Sequence, residues 1–360
     1  MAYRIPARVA RDAMRRSTVE GAVATASENV AGPFVSLFAA GLGASKAEIG
    51  LLAAVPALVG NLLQLPAAAL TEALGRRRGV VVLGALGARA MWLPLVLLPF
   101  AFPREPSQGP PAGEAASPWP QAAVWTLLVI LTVRAMVGSL VSPAWTSLMA
   151  DLVPPRRRGA YFSNRNMLCN GAALLATLAG GWLIRTGGFP LGYQLIFGAA
   201  FLLGVGSALL LTGLPDPPLG AGRARTGLRW IGDALAELRE EPVFRRYCLS
   251  ALLWNFAVTL PAPLFSVYYV TQLGGTEAGW GVVTAANQLV TLACQRYWGR
   301  LSHTLGERAL MVVGGLGASL LPLFWFLAPS APWAAPSTER CCTGWRRPRS
   351  RTSWTAPGSP

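Results

Sequence analysis

The sequence predicts an all-α polytopic membrane helix bundle, and three observations predict it. Apolar residues make up 53% of the 360 residues and charged residues only 13%, about half the roughly 25% of a soluble domain. Apolar stretches of about 20 residues, the length that crosses a bilayer, recur along the chain. Arginine gathers in alternate connections between those stretches. The mean hydropathy of +0.43 agrees. This balance excludes a disordered chain and argues against a soluble enzyme. The net charge of +15 does not point to nucleic acid, because the arginines are spread over successive loops and form no single basic face. Cytoplasmic loops of membrane proteins collect such residues.

Nine spans are expected, at roughly 18–42, 49–72, 79–102, 121–146, 164–186, 191–213, 247–271, 278–298 and 309–328. The first is the least apolar, since it carries Glu20 and Glu28. Five arginines, Arg4, Arg8, Arg11, Arg15 and Arg16, precede span one. Arg76, Arg77 and Arg78 follow span two, and Arg156, Arg157, Arg158 and Arg165 follow span four. A further group from Arg223 to Arg246 lies between spans six and seven, and Arg296, Arg300 and Arg308 flank the loop after span eight. The opposite loops hold only Lys46, Arg104 and Arg185. The bias places the N-terminus and every even-numbered exit in the cytoplasm. Lys46 is the single lysine; with abundant Ala, Gly and Pro it indicates GC-rich coding, so a bacterial inner membrane is expected. No cleavable signal peptide is expected, because the basic N-terminus lacks a short apolar core with a small-residue cleavage site.

Residues 103–120, rich in Pro, Gly and Ser, read as an external loop, and residues 214–246 as a cytoplasmic linker. Within the linker Trp230, Ile231, Ala234, Leu235 and Leu238 recur at helical spacing. That spacing predicts an amphipathic helix on the membrane surface, with a solvated tether as the alternative. The cysteines Cys169, Cys248 and Cys294 sit in apolar runs as inert thiols, and Cys341-Cys342 lacks the partners of a zinc site. Neither a metal nor a cofactor is expected.

An internal repeat divides the chain. Leu42-Gly43-Ala44-Ser45-Lys46-Ala47-Glu48-Ile49-Gly50 after span one matches Leu273-Gly274-Gly275-Thr276-Glu277-Ala278-Gly279-Trp280-Gly281 after span seven. In the same register, Leu70-Thr71-Glu72-Ala73-Leu74-Gly75-Arg76-Arg77 matches Leu301-Ser302-His303-Thr304-Leu305-Gly306-Glu307-Arg308. Parallel repeats of this kind are a known transporter plan, with cargo held between the halves near the midplane.

On these residues the chain resembles the major facilitator superfamily (MFS). That family's signature after its second helix runs Gly-x-Leu-x-Asp-x-x-Gly-Arg-Arg/Lys. Here Ala68 replaces the first Gly, Leu70 fits, Glu72 stands for the Asp, and Gly75-Arg76-Arg77 match; the second copy runs Gly299, Leu301, His303 for the Asp, Gly306 and Arg308. The resemblance implies a cytoplasmic gate closed by a charge lock at the acid. The loop after span four is also similar: Asp151, Pro154, Arg158 and Gly159 match its acid, Pro and Arg-Gly. Arg134 and Gly138 match the Arg-x-x-x-Gly element of the fourth helix, with Val137 for the usual Gln. The antiporter signature of span five, Gly-Pro-x-x-Gly-Gly, survives only as Gly180-Gly181 in Ala176–Gly181.

The chain then divides into a six-helix half (1–213), the linker (214–246), three helices of a second half (247–328) and a tail (329–360). The family has twelve spans, so the second half is expected to be incomplete. The tail is rich in Pro, Ser, Thr, Arg and Trp; its composition suggests out-of-frame coding after residue 329, with an authentic disordered extension as the alternative.

An ionised residue at a helix centre costs about 2.5–3.5 kcal/mol on insertion scales, and so calls for a function. Glu28 falls near the middle of span one, followed by Asn29, and Arg134 near the middle of span four. Helices one and four of the family line the cavity, so Glu28 and Arg134 are expected to meet there and carry proton coupling. A static ion pair is the bland alternative. Asn61 and Gln64 in span two and Asn255 in span seven are candidates for substrate contact, although interhelical hydrogen bonding serves equally. Arg89 is expected to snorkel toward the cytoplasm, and Glu20 to sit at the cytoplasmic end of span one. The function expected is secondary active transport of a small solute by alternating access, coupled to protons or another ion, by a monomer in the lipid bilayer. The alternatives are a non-functional truncated remnant and a polytopic membrane enzyme; the single His303, in a loop, argues against the latter.

Overall fold

A computed structural model describes residues 7–102, 121–154, 157–216, 239–259, 261–305, 307–320, 322–323 and 327. The external loop 103–120, the amphipathic segment 230–238, Gly306, the tail 330–360 and, in it, Cys341-Cys342 lie outside the described residues. No strand occurs among the described residues. Span one comprises α1 (Ala7–Ala31), a 3-10 turn (Gly32–Phe34) and α2 (Val35–Gly41). Span two is α3 (Lys46–Leu74), and span three is α4 (Arg77–Ala90) with α5 (Trp92–Ala101). Span four is α6 (Gln121–Gly138) with α7 (Val141–Leu152), span five is α8 (Arg158–Gly187) and span six is α9 (Leu191–Thr212). Span seven is α10 (Pro242–Thr259) with α11 (Ala262–Thr271); spans eight and nine are α12 (Glu277–Leu305) and α13 (Glu307–Ser319).

Six of these stretches are long and apolar enough to cross a membrane by length and composition: Lys46–Gln64, Arg77–Ala101, Gln121–Leu152, Arg158–Gly187, Leu191–Thr212 and Pro242–Thr271. The other three expected spans are helical but carry more charge or are shorter. α1 also begins earlier than expected, so Arg8, Arg11, Arg15 and Arg16 form helical turns and not a leading loop. The reason is a buried stripe at helical spacing, Ala10, Ala13, Ser17 and Glu20, that packs inward from this segment.

Proline sets the breaks within spans. Proline has no N–H to donate to the carbonyl four residues back, and its ring collides with that carbonyl. Pro94, Pro143 and Pro263 each lie four residues after a helix end or its next residue: Ala90, Ser139 and Thr259. Pro56 and Pro66 lie inside α3 without ending it.

The repeated loops have the same local geometry. Gly43 and Gly274 take positive φ, 87° and 65°, a region open to glycine at little steric cost. Two residues on, Ser45 and Thr276 cap the next helix. The Ser45 hydroxyl accepts from the Glu48 backbone N–H at 3.3 Å, and the Glu48 carboxylate accepts from the Ser45 N–H at 2.7 Å, a capping box. The Thr276 hydroxyl accepts from the Gly279 N–H at 3.0 Å. Both helices that follow, α3 and α12, have 29 residues. Gly75, at φ 64°, closes α3 in the left-handed conformation.

In the first half α1 packs along α8 and α9, α3 along α6, and α4 against α7 and α9. One buried cluster gathers Phe34, Phe38, Trp92, Tyr193 and Phe197 at the end away from the arginine-rich turns. A second gathers Val81, Leu148, Met149, Leu152 and Tyr161 at the basic end. The second half meets the first at the end away from the basic turns. α11 packs on α2 and α3, and α12 on α8; the Trp280 indole donates to the Pro33 carbonyl at 3.1 Å, and the Tyr193 hydroxyl to Glu277 at 3.3 Å. The pair Gly180-Gly181 permits both close crossings: a methyl on Gly180 would lie 2.3 Å from the Val30 carbonyl of α1, and one on Gly181 3.3 Å from the Ala278 carbonyl of α12.

Gly180→Ala therefore forces backbone apart and is expected to destabilise the chain by about 1–3 kcal/mol. Gly171→Ala, in open space on the same helix, is expected to leave stability unchanged or raise it by up to about 1 kcal/mol. Thermal unfolding of both variants in detergent checks the contrast.

Candidate functional site

Among the first-half helices lies a cavity of about 370 Å³, lined by residues of α1, α3, α4, α6 and α7 and the turn between the last two. Glu28, Asn61, Gln64, Arg89 and Arg134 all line it. Four of these are sequence candidates, from three spans, and the fold brings them to one space. The Arg134 Nη2 donates to Glu28 Oε2 in a short ion pair. The Glu28 side chain stays 46% exposed and lines the cavity. The Arg134 guanidinium lies 4.4 Å over the Trp92 ring, a cation–π contact. Trp92 in turn stacks on Phe197, with centroids 5.7 Å apart and planes 17° from parallel. Trp92 thus orients the arginine, a role that nothing local in the sequence signals.

Asn61 and Gln64 are one turn apart on α3, and the Gln64 amide donates to Asn61 Oδ1 at 3.4 Å. Asn29 points elsewhere, because consecutive helical residues are rotated by about 100°. Its Oδ1 accepts from Gln288 of α12 at 3.0 Å, and its carbonyl from the Thr177 hydroxyl of α8 at 3.3 Å. It belongs to the contact between the halves and not to the cavity. Asn255 is exposed and donates to the Ala251 carbonyl of its own helix at 2.8 Å, away from the residues that line the cavity.

A second charged group is buried beside the cavity. Glu20 is 4% exposed. Its carboxylate accepts from Arg89 Nη2 of α4 at 3.2 Å and lies 3.7 Å from Arg165 Nη2 of α8. Arg165 also donates to the Ser17 carbonyl at 3.3 Å and lies 4.4 Å over the Trp145 ring. Arg89, expected to reach toward the cytoplasm, and Glu20, expected at the cytoplasmic end of span one, are both buried and paired with each other. Trp145 stacks on a cation of its own chain.

At the basic end the two expected loop motifs meet. Arg77, 1% exposed, donates to Asp151 Oδ2 at 2.7 Å and to the carbonyl and hydroxyl of Ser147 at 3.0 and 3.1 Å. Arg76 is exposed at the start of α4. Arg158 donates to the Ala150 and Val153 carbonyls at 2.6 and 3.3 Å, a cation on the C-terminus of α7. Pro154 and Gly159 flank it, exposed. Gly299 lies in α12; the side chains of Glu72, His303 and Arg308 lie outside the described residues, as does Gly306. Among the described residues no group of three His, Cys, Asp or Glu side chains is placed to hold a metal ion.

The model of the family Major Facilitator Superfamily matches residues 21–338. The fold is similar to that of a bacterial homologue of the human lysosomal transporter Spinster in inward-facing occupied and unoccupied conformations. For each the TM-score is 0.61 and the identity 18%; the alignments cover 85% and 84% of this chain and 63% and 64% of those chains. The chain thus spans somewhat less than two thirds of their length. A D-xylose-proton symporter is similar at TM-score 0.56 and 15% identity, over 81% of this chain and 68% of that one. At these identities the likeness is one of fold. No curated protein sequence matches the chain.

Two carboxylates of α1, Glu20 and Glu28, differ in what they hold. Glu20→Gln leaves buried guanidiniums without their counter-charge and is expected to cost about 3–5 kcal/mol. Glu28→Gln, at a half-exposed site in the cavity wall, is expected to cost about 1 kcal/mol or less. Thermal unfolding of each variant in detergent distinguishes them, and equal losses would make Glu28 a packing residue.

Proposed function

The chain belongs to the Major Facilitator Superfamily, and from that premise we propose that it carries a small solute across a membrane by alternating access, coupled to protons. It is a multi-pass membrane protein, on its family and its apolar helices. The observation that carries the reading is the Glu28–Arg134 pair in the wall of the first-half cavity, beside Asn61, Gln64 and Arg89. When Glu28 is ionised, each charge of the pair stabilises the other. When it takes a proton, the attraction ends and Arg134 needs another acceptor. Alternate protonation from the two sides of the membrane then gives two energetically distinct states of one cavity. That one solved chain of this fold is a D-xylose-proton symporter supports the proton as coupling ion. The reading involves no covalent chemistry and no cofactor.

The contacts named between the halves, Trp280 to Pro33, Glu277 to Tyr193 and Gln288 to Asn29, involve the first part of α12. The arginine bias assigns the opposite end to the cytoplasm. These two observations support an inward-facing state of a bacterial inner-membrane protein with a cytoplasmic N-terminus. Arg77–Asp151 would then brace the cytoplasmic ends of spans three and four, while Gly75 and Arg76 shape the turn of the gate. The division into residues 1–213, the linker 214–246, the helices of 247–328 and the segment 329–360 follows the same plan, as does a monomeric state.

In proteoliposomes with a pH-sensitive dye in the lumen, addition of transported solute is expected to move protons with the parent chain. Glu28→Gln is expected to insert normally and to lose that movement. Coupling that survives the substitution would defeat the assignment.

A further inference from the structure

We propose that the cavity binds a small organic anion, and that Arg89 and Arg134 hold its charged group. The inference deepens the transport reading and rests on the cavity being the transport site.

The cavity wall has an excess of positive charge. Among the described residues, the ionisable side chains that line it are the cations Arg89 and Arg134 and the anion Glu28. Glu20, behind the wall, does not restore the balance, because it is shared between Arg89 and Arg165. Arg165 has further acceptors in the Ser17 carbonyl and the Trp145 face. Arg89 has none: one terminal nitrogen binds Glu20, and the other, Nη1, is buried without a hydrogen-bond partner, although the residue is only 8% exposed. The Nε of Arg134 is buried and unpartnered as well. A guanidinium cannot escape this state by losing a proton, for its five N–H groups are donors only and it stays charged. Both guanidiniums line the cavity, so a carboxylate or phosphate bound there supplies the missing negative charge, and a small turn of either side chain brings its spare N–H groups onto the anion.

The rest of the wall describes the rest of the solute. Ala57, Gly60, Ala88 and Ala135 leave room for an apolar body, and Asn61 and Gln64 offer neutral polar contacts. A volume of about 370 Å³ lies at the low end of ligand pockets, about 300–1,000 Å³, so the anion is small. Proton and anion are also linked. The charged groups that face Glu28 are Arg134 and, across the cavity, Arg89; Glu20, two turns earlier on α1, is engaged by Arg89 and Arg165. A proton on Glu28 withdraws its carboxylate from Arg134 and leaves that guanidinium to the solute, so the two ligands bind together.

Four probes that share a phenyl ring and differ in head group, benzoate, phenyl phosphate, benzylamine and benzyl alcohol, test this by the saturable rise in Tm that each gives the purified full chain in detergent. At least one of the two anions is expected to stabilise the chain, with the amine and the alcohol without effect. The preferred anion identifies the head group as carboxylate or phosphate. Glu28→Gln is expected to tighten anion binding, and Arg89→Gln to weaken it at least about tenfold. If Arg89→Gln does not fold, Arg134→Gln is the variant that carries the expected loss. Equal shifts from the amine or the alcohol, no shift from either anion, or anion binding indifferent to both Glu28→Gln and Arg134→Gln would overturn the proposal. The readout needs no flux: a proton-coupled transporter that binds all four probes alike refutes the anion and leaves transport standing, whereas anion binding without solute flux in vesicles does the reverse.

Discussion

Charge in a low-dielectric interior must be paired, and the first half of this protein is arranged around that constraint. Three ionic groups lie along it. Arg77 and Asp151 join the starts and ends of spans at the basic end. Glu20, Arg89 and Arg165 tie α1 to α4 and α8. Glu28 and Arg134 tie α1 to α6 across the cavity. Each joins helices that are far apart in sequence, so each fixes packing as well as charge. Their burial separates their roles. A pair sealed from water loses much when one partner goes, and the Glu20 side chain is 5% exposed. The Glu28 side chain is 46% exposed, so its pair is the less costly to break.

Apolar packing supplies the frame that makes this pairing definite. Trp92 lies between Phe197 and the Arg134 guanidinium, so the aromatic cluster at one end positions a cation in the cavity. Between helices in lipid, close van der Waals approach replaces much of the hydrophobic drive. Gly180 and Gly181 serve α1 and α12 from adjacent positions on α8. The double glycine thus belongs to the seam between the halves, where Asn29, Thr177 and Gln288 also meet. A transporter that tilts one half against the other must break and remake contacts of this kind, and small residues with a few hydrogen bonds make such a seam shallow.

Much of the fold is legible in local sequence. Apolar length marks the spans, and the matched Gly43-Ala44-Ser45 and Gly274-Gly275-Thr276 foretell two turns of the same shape, each capping a 29-residue helix. Glu28 and Arg134 stand out as well, since charge is costly at mid-span and must have a partner. The cavity's other contents are less legible. Asn61 and Gln64 are visible as polar residues in α3, but so is Asn255, which bonds back to its own helix. Asn29 sits beside Glu28 in the chain and serves another surface, because one step along a helix turns the side chain through about 100°.

By itself, the amino-acid order determined where helices run, where prolines interrupt them, which loops are basic and which mid-span charges require a partner. Those properties depend on neighbours within a few turns, where spacing alone sets the geometry. Only the tertiary structure decided which charges meet: that Arg89 turns inward to Glu20, that Arg77 reaches Asp151, and that Arg134 rests on Trp92. Such partners lie about 40 to 75 residues apart or more, and their choice follows from helix rotation and crossing, which no single segment contains.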